Sequence, residues 1–470
     1  MSITVGDLYR TSPPETPVAE ELDVDGALPA GLRGTLYRNG PVRFEAGGFV
    51  ARHPFDGDGM VSQYVLDEGR VRFRSRYVRT PKYRQEEAGE GARIKGIGNT
   101  VPGWWRNLKL PADAANTHAV VHADRLLALS DAGKPWELDP DTLATVGVCT
   151  LDGSLSTFGR FSPHPRIDPV TGEMFNFGLD FVPGLLPRLP VGLKCFRTGP
   201  DGRTTVLATV PLTALHVQHD FSITERFLVF LISPLTVDPV AALQVPQEQA
   251  ARWHSDRPTR VVLVPRDGGA PIEQALDEDL MYIHITNAFE DERGDVHVDV
   301  VRYADPDDFF LPAREFRTTT ENIGGCSARV TITPAGVTVR DLNEHRLELP
   351  QHDQRRTGRP YSYGYYATLD AAPDATNGVY KIDHDTGAEQ HFAYEPGHAV
   401  GEPLFVPAVD GAAEDDGWLL TLVTDVDASR TGLHVFDARH VDAGPIARAT
   451  GPTGFFPGFH GSFTDRVARA

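Results

Sequence analysis

Four of the seventeen histidines in the chain are spaced in a way that suits a shared metal site. They are His164 in SPHPRID, His219 in VQHDFSIT, His284 in YIHITNAFE and His460 in FPGFHGSF. The first three follow one another at roughly 60 residues and the fourth comes after about three such intervals, as expected for equivalent positions in successive structural repeats. Neutral imidazole is the commonest metal ligand, and several converging imidazoles suit zinc, copper, iron or nickel. The spacing alone leaves open the alternative of four separate surface or core histidines.

The segments that would position these histidines have the composition of short strands. The candidates are rich in Val, Leu, Phe and Thr and are bounded by Gly, Pro and Asp. They cover residues 125–130, 205–210, 227–232, 260–264, 296–303, 328–333, 418–424 and 433–436. Stretches with a helical period are scarce, and 45 glycines and 37 prolines suit a chain with many turns. These features predict an all-β fold.

A turn pattern recurs at residues 138–143, 167–172 and 382–387, where an apolar strand end is followed by Asp, a turn and a returning strand. Such units are typical of propeller blades, although the same letters also describe an ordinary hairpin turn. At roughly 60 residues per blade, the chain predicts a seven-bladed β-propeller. No shift in composition marks a linker, so we expect a single domain over residues 1–470, with residues 1–29 as an N-terminal extension.

The charge and the cysteine content exclude several classes of function. The chain carries 45 Lys and Arg against 65 Asp and Glu, a formal net charge of −20, which argues against a nucleic-acid partner. Its three cysteines, Cys149, Cys195 and Cys326, form no CxxC pair, so we expect neither a disulfide scaffold nor a thiolate-ligated metal. The N-terminus lacks the features of a signal peptide, and no apolar run of about 18 residues occurs. We therefore expect a cytoplasmic protein.

Seven segments together carry a resemblance to a known family. They are LYRNGP at residues 36–41, HPFDGDGMV at 53–61, SPHPRID, QHDFSIT, HITNAFE, GEPLFVP at 401–407 and FFPGFHGSF at 455–463. In this order they resemble the carotenoid cleavage oxygenases, from about residue 30 to the C-terminus. The segment 99–116, with PGWWRN followed by AAN, is most similar to the apocarotenoid oxygenase branch.

The resemblance implies a propeller whose top face is covered by a dome of loops and helices. It also implies one non-haem Fe(II) on the axis, held by His164, His219, His284 and His460. Three carboxylates would stand behind these ligands, at Asp131, Glu348 and Glu402. The family usually has Glu where Asp131 stands, and Asp is one methylene shorter. We therefore expect either a longer bond from Asp131 to its histidine or a bridging water.

The activity implied by the resemblance is oxidative cleavage of a conjugated C=C bond of a carotenoid or apocarotenoid, with O₂ as co-substrate and two carbonyl products. Thr117 matches a family position close to the open side of the iron, where it would restrict access; the alternative is a threonine that merely begins a strand. An apolar tunnel would hold the polyene. Candidate lining residues, each as compatible with core packing, are Trp104, Phe221, Tyr365, Phe456 and Phe459.

Two other functions and one further partner remain open from the sequence. The first function is cleavage of a phenolic stilbene, whose enzymes carry a Lys just before the first carboxylate, where this chain has Ser130. The second is a propeller that binds without turnover. The apolar segments at Trp104-Trp105 and from Phe181 to Leu193 would either dip into a membrane surface to collect a lipophilic substrate or pack within the dome.

Overall fold

The protein is described here as a computed structural model of the 470-residue chain. The structure describes residues 12–46, 49–90, 93–101, 103–108, 111–131, 133–181, 191–315, 318, 323–370, 372, 375–409, 411, 413–454 and 458–469. Within these residues the fold is almost entirely β, as the sequence predicts. The α-helices found there are α1, Pro81–Glu87, and α2, Asp307–Arg314. Short 3-10 helices lie at Pro54–Asp56, Trp104–Leu108, Ala241–Leu243, Gln247–Ala250, Gln354–Arg356 and Val441–Ala443.

The structure has 34 strands in the described residues. Those before residue 150 are β1 Thr16–Gly26, β2 Gly34–Arg43, β3 Glu45–Ala46, β4 Phe49–Val50, β5 Asp58–Asp67, β6 Arg70–Tyr77, β7 His118–His122, β8 Arg125–Leu129, β9 Trp136–Leu138 and β10 Thr145–Val148. Those of the middle are β11 Arg166–Ile167, β12 Met174–Phe181, β13 Val191–Thr198, β14 Thr204–Pro211, β15 Ser222–Ile223, β16 Phe227–Ile232, β17 Leu235–Val237, β18 Ala251–Trp253, β19 Thr259–Pro265, β20 Ile272–Leu276, β21 Met281–Glu290, β22 Val296–Tyr303, β23 Cys326–Thr333 and β24 Gly336–Asp341. The last are β25 Glu348–His352, β26 Tyr363–Ala367, β27 Gly378–Asp383, β28 Glu389–Ala393, β29 His398–Val400, β30 Leu404–Pro407, β31 Gly417–Asp425, β32 Arg430–Asp437, β33 Pro445–Thr450 and β34 His460–Thr464.

The two ends of the chain meet in one large sheet. Thirteen of its fourteen strands run in the order β10-β9-β8-β7-β34-β2-β5-β6-β1-β33-β32-β31-β29, and the fourteenth, β30, pairs with β31. The last strand, β34, lies antiparallel to β2, and its first residue forms a parallel bridge from His460 to His118 of β7. Strand β1 pairs with both β6 and β33, so residues 16–26 of the predicted N-terminal extension belong to this sheet.

The middle of the chain forms four antiparallel sheets of four strands each. They are β11–β14, β15-β16-β19-β20, β21–β24 and β25–β28, and two short ribbons, β3-β4 and β17-β18, complete the described sheets. The apolar segment from Phe181 to Leu193, predicted to contact a membrane surface or to pack within the dome, contributes its two ends to the β12–β13 hairpin, where Phe181 pairs with Val191. Residues 182–190 lie outside the described part of the chain.

Neighbouring sheets pack face to face, which explains why many strands are apolar on both sides. In β16, Leu228 and Phe230 face the β12–β13 hairpin, in the same cluster as Phe177. The alternate residues Val229 and Leu231 belong instead to a cluster with β21 and β22. Because successive side chains of a strand point to opposite faces, a sheet between two others buries both sets.

The recurring turn pattern is a hairpin with one hydrogen-bond scheme. The side-chain oxygens of Asp139, Asp168 and Asp383 each accept from the backbone N–H groups two and three residues further on. The Asp168 turn joins the first two strands of its sheet, whereas the Asp383 turn joins the last two. The pattern therefore marks a turn chemistry and not a fixed position in a repeat. In the described residues, no helix combines the length and the apolar character that crossing a bilayer requires.

Candidate metal centre

The four predicted ligands lie at or just before strands of four different sheets. His164 and His219 lie just before β11 and β15, His284 lies within β21, and His460 begins β34. The pairing of β21 with β22 shifts between Tyr282 and Ile285, so His284 occupies a bulge. A bulge turns a side chain away from the regular alternation, which here directs His284 toward the other three rings.

The side-chain nitrogens of the four histidines converge on one point. One ring nitrogen from each lies within 4.8 Å of the others. The Nε2 atoms of His164 and His219 are 2.9 Å apart, and those of His219 and His284 are 3.3 Å apart. Three of the residues are buried and His219 is half-buried. His284 and His460 are carried by strands, and His164 and His219 lie just before strands, so the group is held rigidly.

Three carboxylates stand behind these rings and orient them. The Nδ1–H of His219 donates to Asp131 Oδ1 at 2.7 Å, that of His284 donates to Glu348 Oε2 at 2.5 Å, and that of His460 donates to Glu402 Oε1 at 2.9 Å. Each such bond puts the ring proton on Nδ1 and leaves a lone pair on Nε2.

The Asp131 contact differs from the expectation of a lengthened bond or a bridging water. The shorter carboxylate touches His219 directly at 2.7 Å. The shorter side chain therefore does not prevent a direct hydrogen bond.

The donor set fits a transition-metal cation. When His219 and His284 are neutral, their bonds to Asp131 and Glu348 keep the proton on Nδ1, so two Nε2 lone pairs face each other at 3.3 Å. Two lone pairs at this distance repel unless a cation lies between them. Four neutral imidazoles suit iron, zinc, copper or cobalt and not Mg²⁺ or Ca²⁺, which prefer oxygen ligands.

The protonation of two of the four candidate ligands favours cation binding at neutral pH. Burial, and then the neighbouring imidazoles, hold the pKa of His164 well below its usual value. Burial lowers the pKa of His460 to about 3, although Glu402 acts in the opposite direction. Burial also opposes charging of His219, but the adjacent Asp131 carboxylate outweighs it and raises the pKa of that ring. His164 and His460 are therefore neutral and ready to bind metal.

The segment before β7 brings Thr117 to the same region. A small cavity is lined by Phe55, Ile97, Ala112, Ala114, Asn116, Thr117, Ser130 and Asp131. Thr117 is buried, and its carbonyl accepts from the backbone N–H of His460 at 3.1 Å. The Asn116 side chain donates to the carbonyls of Phe55 and Gly57, which anchors the segment. Thr117 thus lies between a candidate ligand and the cavity that Asp131 borders.

The predicted tunnel residues have different environments. Phe459 precedes His460, and its ring packs edge-on against Phe55, which lines the cavity. Phe221 and Tyr365 are fully buried in the hydrophobic core, the first between Phe177 and Phe230 and the second stacked on Phe405. Both rings are enclosed by core packing in this structure, and their role as tunnel residues stays a prediction. Phe456 lies outside the described residues, and of Trp104 only the backbone is described.

The other histidines near the group bind backbone carbonyls. His118 lies between the carbonyls of Pro163 and Gly461, at 2.6 and 3.1 Å from its two ring nitrogens, and His122 contacts the carbonyl of Gly172. His216 contacts the carbonyl of Ser233. These three rings contact backbone carbonyls, and none of them belongs to the four-histidine group.

Three residues of the centre are missing from the sequence analysis. Arg38 forms a buried ion pair with Glu402, Gln351 donates to Glu402 Oε1 at 2.7 Å, and the Tyr303 hydroxyl donates to Glu348 Oε1 at 2.6 Å. Arg38 belongs to the LYRNGP segment, which the resemblance uses only as a marker. A buried arginine in a strand needs an acidic partner, and this requirement could have pointed to Arg38 from the sequence.

Comparison with known proteins agrees with this geometry. The family model described as retinal pigment epithelial membrane protein matches residues 9–465. Apocarotenoid-15,15'-oxygenase of Synechocystis sp. is 35% identical over 460 residues, which cover 93% of this chain and 91% of that protein. Lignostilbene-alpha,beta-dioxygenase isozyme III of Sphingomonas paucimobilis is 30% identical over 488 residues, with coverage of 95% and 94%.

A solved structure gives the same result in three dimensions. Cobalt-substituted Synechocystis apocarotenoid oxygenase matches with a TM-score of 0.87 and 33% identity, over 98% of this chain and 99% of that one. The match in sequence and in fold extends over nearly the whole length of both chains. The chain therefore belongs to the retinal pigment epithelial membrane protein family, the family of the carotenoid cleavage oxygenases.

Proposed function

We propose that this protein is an Fe(II)-dependent dioxygenase that cleaves one conjugated C=C bond of an apocarotenoid to two carbonyl products. The observation that carries the proposal is the group of four converging imidazoles backed by three carboxylates. Fe(II), when bound, supplies the redox chemistry that lets triplet O₂ react with a singlet polyene, which zinc cannot do.

The residues of this chain hold and shield the centre. His164, His219, His284 and His460 would occupy four coordination positions and leave the remainder open. The carboxylates Asp131, Glu348 and Glu402 keep the ring protons on Nδ1, so that Nε2 stays available as a ligand. Thr117 would border the open side and limit what reaches it. No side chain is assigned as a general acid or base, because cleavage of a C=C bond by O₂ needs no proton transfer.

The environment of Ser130 favours a polyene over a phenolic stilbene. Its hydroxyl donates to Asp113 Oδ1 at 2.8 Å, and the same carboxylate accepts from the backbone of Lys134 and the indole N–H of Trp136. Ser130 is thus committed to a structural hydrogen bond and cannot anchor a phenol as a lysine would.

We also infer that the sheets are seven blades of one propeller domain spanning the chain, with the four histidines on its axis. The four four-stranded sheets would be four blades. The fourteen-stranded sheet would supply three more, divided at the parallel β34–β7 pair and at β1, where the ends of the chain meet. A closed ring of blades accounts for sheets that are apolar on both faces and for four ligands from four sheets.

We further propose that the protein contacts a lipid surface to collect its substrate. Trp105 and Val240, 59% and 65% exposed, lie on neighbouring 3-10 segments. With a net charge of −20, apolar insertion and not attraction to anionic lipid would drive the contact. In flotation with neutral phosphatidylcholine liposomes, we expect Trp105→Glu to weaken binding, whereas Val18→Glu on β1 retains it. Equal binding of both variants would contradict the proposal.

Product analysis in ¹⁸O₂ tests the proposed reaction. The iron-loaded protein is incubated in parallel with an apocarotenal and with resveratrol, and the carbonyl products are identified by mass. We expect two labelled fragments from the apocarotenal and little turnover of the stilbene. Turnover of resveratrol alone would identify the stilbene activity. Absence of stoichiometric iron, with no effect of His284→Ala on metal content, would identify a binding protein.

A further inference from the structure

The three carboxylates behind the ligands differ in how their charge is balanced. Asp131 contacts His219 and is one-quarter exposed, so water shares its charge. Glu348 is buried, and its other partners are the Tyr303 hydroxyl and the backbone N–H of Leu349, which are neutral. Glu402 is also buried, but it is paired with the guanidinium of Arg38. Of the three carboxylates, Glu402 is thus the one that has an arginine partner among the described residues.

The pairing of β2 with β34 creates the Arg38–Glu402 contact. Arg38 lies opposite Gly461, and the next residue, Asn39, lies opposite His460. A Cβ at Gly461 would lie 2.0 Å from the carbonyl of Tyr37 and 2.6 Å from Arg38 Cδ. Glycine at this position therefore lets the arginine lie against the strand that carries a candidate ligand. The second terminal nitrogen of Arg38 donates to the carbonyl of Phe459 at 3.1 Å, which fixes the guanidinium.

The buried position of this pair needs an explanation other than stability. The side chains of Arg38 and Glu402 are 1% and 2% exposed. Removing two charges from water costs about as much as their attraction returns, so such a pair adds little to stability compared with apolar residues. The pair is placed to act on the centre, because Glu402 also accepts the Nδ1–H of His460.

A charge count suggests what that effect is. The four imidazoles are neutral ligands, the three carboxylates contribute three negative charges, and Arg38 contributes one positive charge. The nearby Asp220 is cancelled by its ion pair with Arg166. The pocket thus carries two net negative charges, which a divalent cation neutralises. Without Arg38 the pocket would carry three, the complement of a trivalent cation.

We propose that Arg38 is a positioning residue that balances the charge of the metal pocket and so favours Fe(II) over Fe(III). The inference rests on the proposed iron site and adds a determinant of its redox state. Arg38 does not touch the metal; it acts through Glu402 and His460. Because opposite charges attract more strongly in a buried site than in water, one added positive charge disfavours the more highly charged state of the metal.

The test measures the Fe(III)/Fe(II) midpoint potential in a set of variants that separates charge from hydrogen bonding. Arg38→Met makes the pocket more negative, Glu402→Gln makes it less negative, and the double variant restores the original charge. Arg38→Lys keeps the charge. Tyr303→Phe is the matched control, since it removes a hydrogen bond to a buried carboxylate without changing the charge.

We expect Arg38→Met to shift the one-electron equilibrium toward Fe(III) by at least tenfold, which corresponds to about 59 mV. Glu402→Gln should shift it in the opposite direction, whereas the double variant, Arg38→Lys and Tyr303→Phe should stay near the wild-type potential. A double variant displaced as far as Arg38→Met, or a shift in Tyr303→Phe equal to that in Arg38→Met, would overturn the proposal. If Arg38→Met does not fold, the opposite shift in Glu402→Gln and its cancellation in the double variant decide the question.

Titration with Co²⁺, followed by visible absorption, distinguishes failure of this inference from failure of the proposed site. Arg38→Met should bind Co²⁺ more tightly than the wild type and Glu402→Gln less tightly. If the wild type binds one Co²⁺ per chain but this order is absent, the role of Arg38 is refuted and the metal site stands. If the wild type binds no Co²⁺, the proposed metal site itself fails.

Discussion

Replacement of Asp131 tests how much the carboxylates contribute to metal binding. In Asp131→Asn the amide oxygen can still accept the Nδ1–H of His219, so the hydrogen bond and the ring tautomer are kept while the charge is lost. In Asp131→Leu the hydrogen bond and the charge are both lost. His219 can then carry its proton on Nε2, which prevents that nitrogen from binding a metal. We expect metal affinity to fall in both variants, and further in Asp131→Leu.

The size of the effect follows from the exposure of each carboxylate. Loss of a carboxylate behind a ligating histidine typically lowers metal affinity 10- to 100-fold, or about 1.4 to 2.8 kcal/mol. The Asp131 side chain is 25% exposed, whereas that of Glu348 is 2% exposed. Because water screens an exposed charge, we expect about a tenfold loss for Asp131→Asn and about a hundredfold loss for Glu348→Gln.

The assay is competition for Co²⁺ against a chelator of known affinity at pH 7.5. Glu137→Gln is the matched control, since Glu137 lies on β9, close to Asp131 in sequence, yet is not among the partners of the four histidines. The control should bind like the wild type. The reasoning is refuted if Glu137→Gln weakens binding as much as Asp131→Asn does, or if Asp131→Leu binds as tightly as the wild type.

Three further predictions concern pH, packing and stability. Metal affinity should be full at alkaline pH and fall as the pH drops through the raised pKa of His219, because the proton competes for its ring, and Co²⁺ titrations between pH 8 and 5 measure this. Gly461→Ala should lower both the melting temperature and Co²⁺ affinity, because the added methyl group would meet the carbonyl of Tyr37 at 2.0 Å; unchanged values would contradict this clash. Burial raises the pKa of Asp299, but hydrogen bonds from Arg329 and His384 outweigh it and hold that pKa below its usual value. Asp299 therefore stabilises the fold above the unfolded-state pKa near 4 and loses this effect as the pH falls. Thermal unfolding should show Asp299→Asn destabilised by about 3 kcal/mol or more at pH 7 with metal content unchanged, and by less at pH 3.

Local chemistry explains which parts of the fold could be predicted. The strands at residues 227–232 and 296–303 have the predicted bounds, because runs of β-branched and aromatic residues between turn residues favour strands wherever they lie. The Asp-containing turns are equally local, since one side chain caps its own backbone. The sheet partners are not local: β34 lies between β2 and β7, at the opposite end of the chain, and no strand's own composition specifies that pairing.

The candidate site likewise has features that the sequence predicts and features that depend on the tertiary structure. The residue types and motif segments of the sequence were enough to select His164, His219, His284 and His460 and the carboxylates behind three of them. The direct contact of Asp131 with His219 depends on how the β8–β9 turn is placed, which decides whether a shorter side chain still reaches. Phe221 and Tyr365 show the opposite case, since aromatic character suits a tunnel and a core equally, and only the structure shows that both rings are fully buried.

By itself, then, the sequence determined the residue types that could bind a metal, the turn chemistry and the all-β character, because each depends on a side chain and its near neighbours. Only the tertiary structure decided that Arg38 neutralises Glu402, that Tyr303 supports Glu348, and that a bulge directs His284 toward the other ligands. These contacts join residues 45 to 364 positions apart. They depend on strand register, and a one-residue shift would point each side chain to the other face of its sheet.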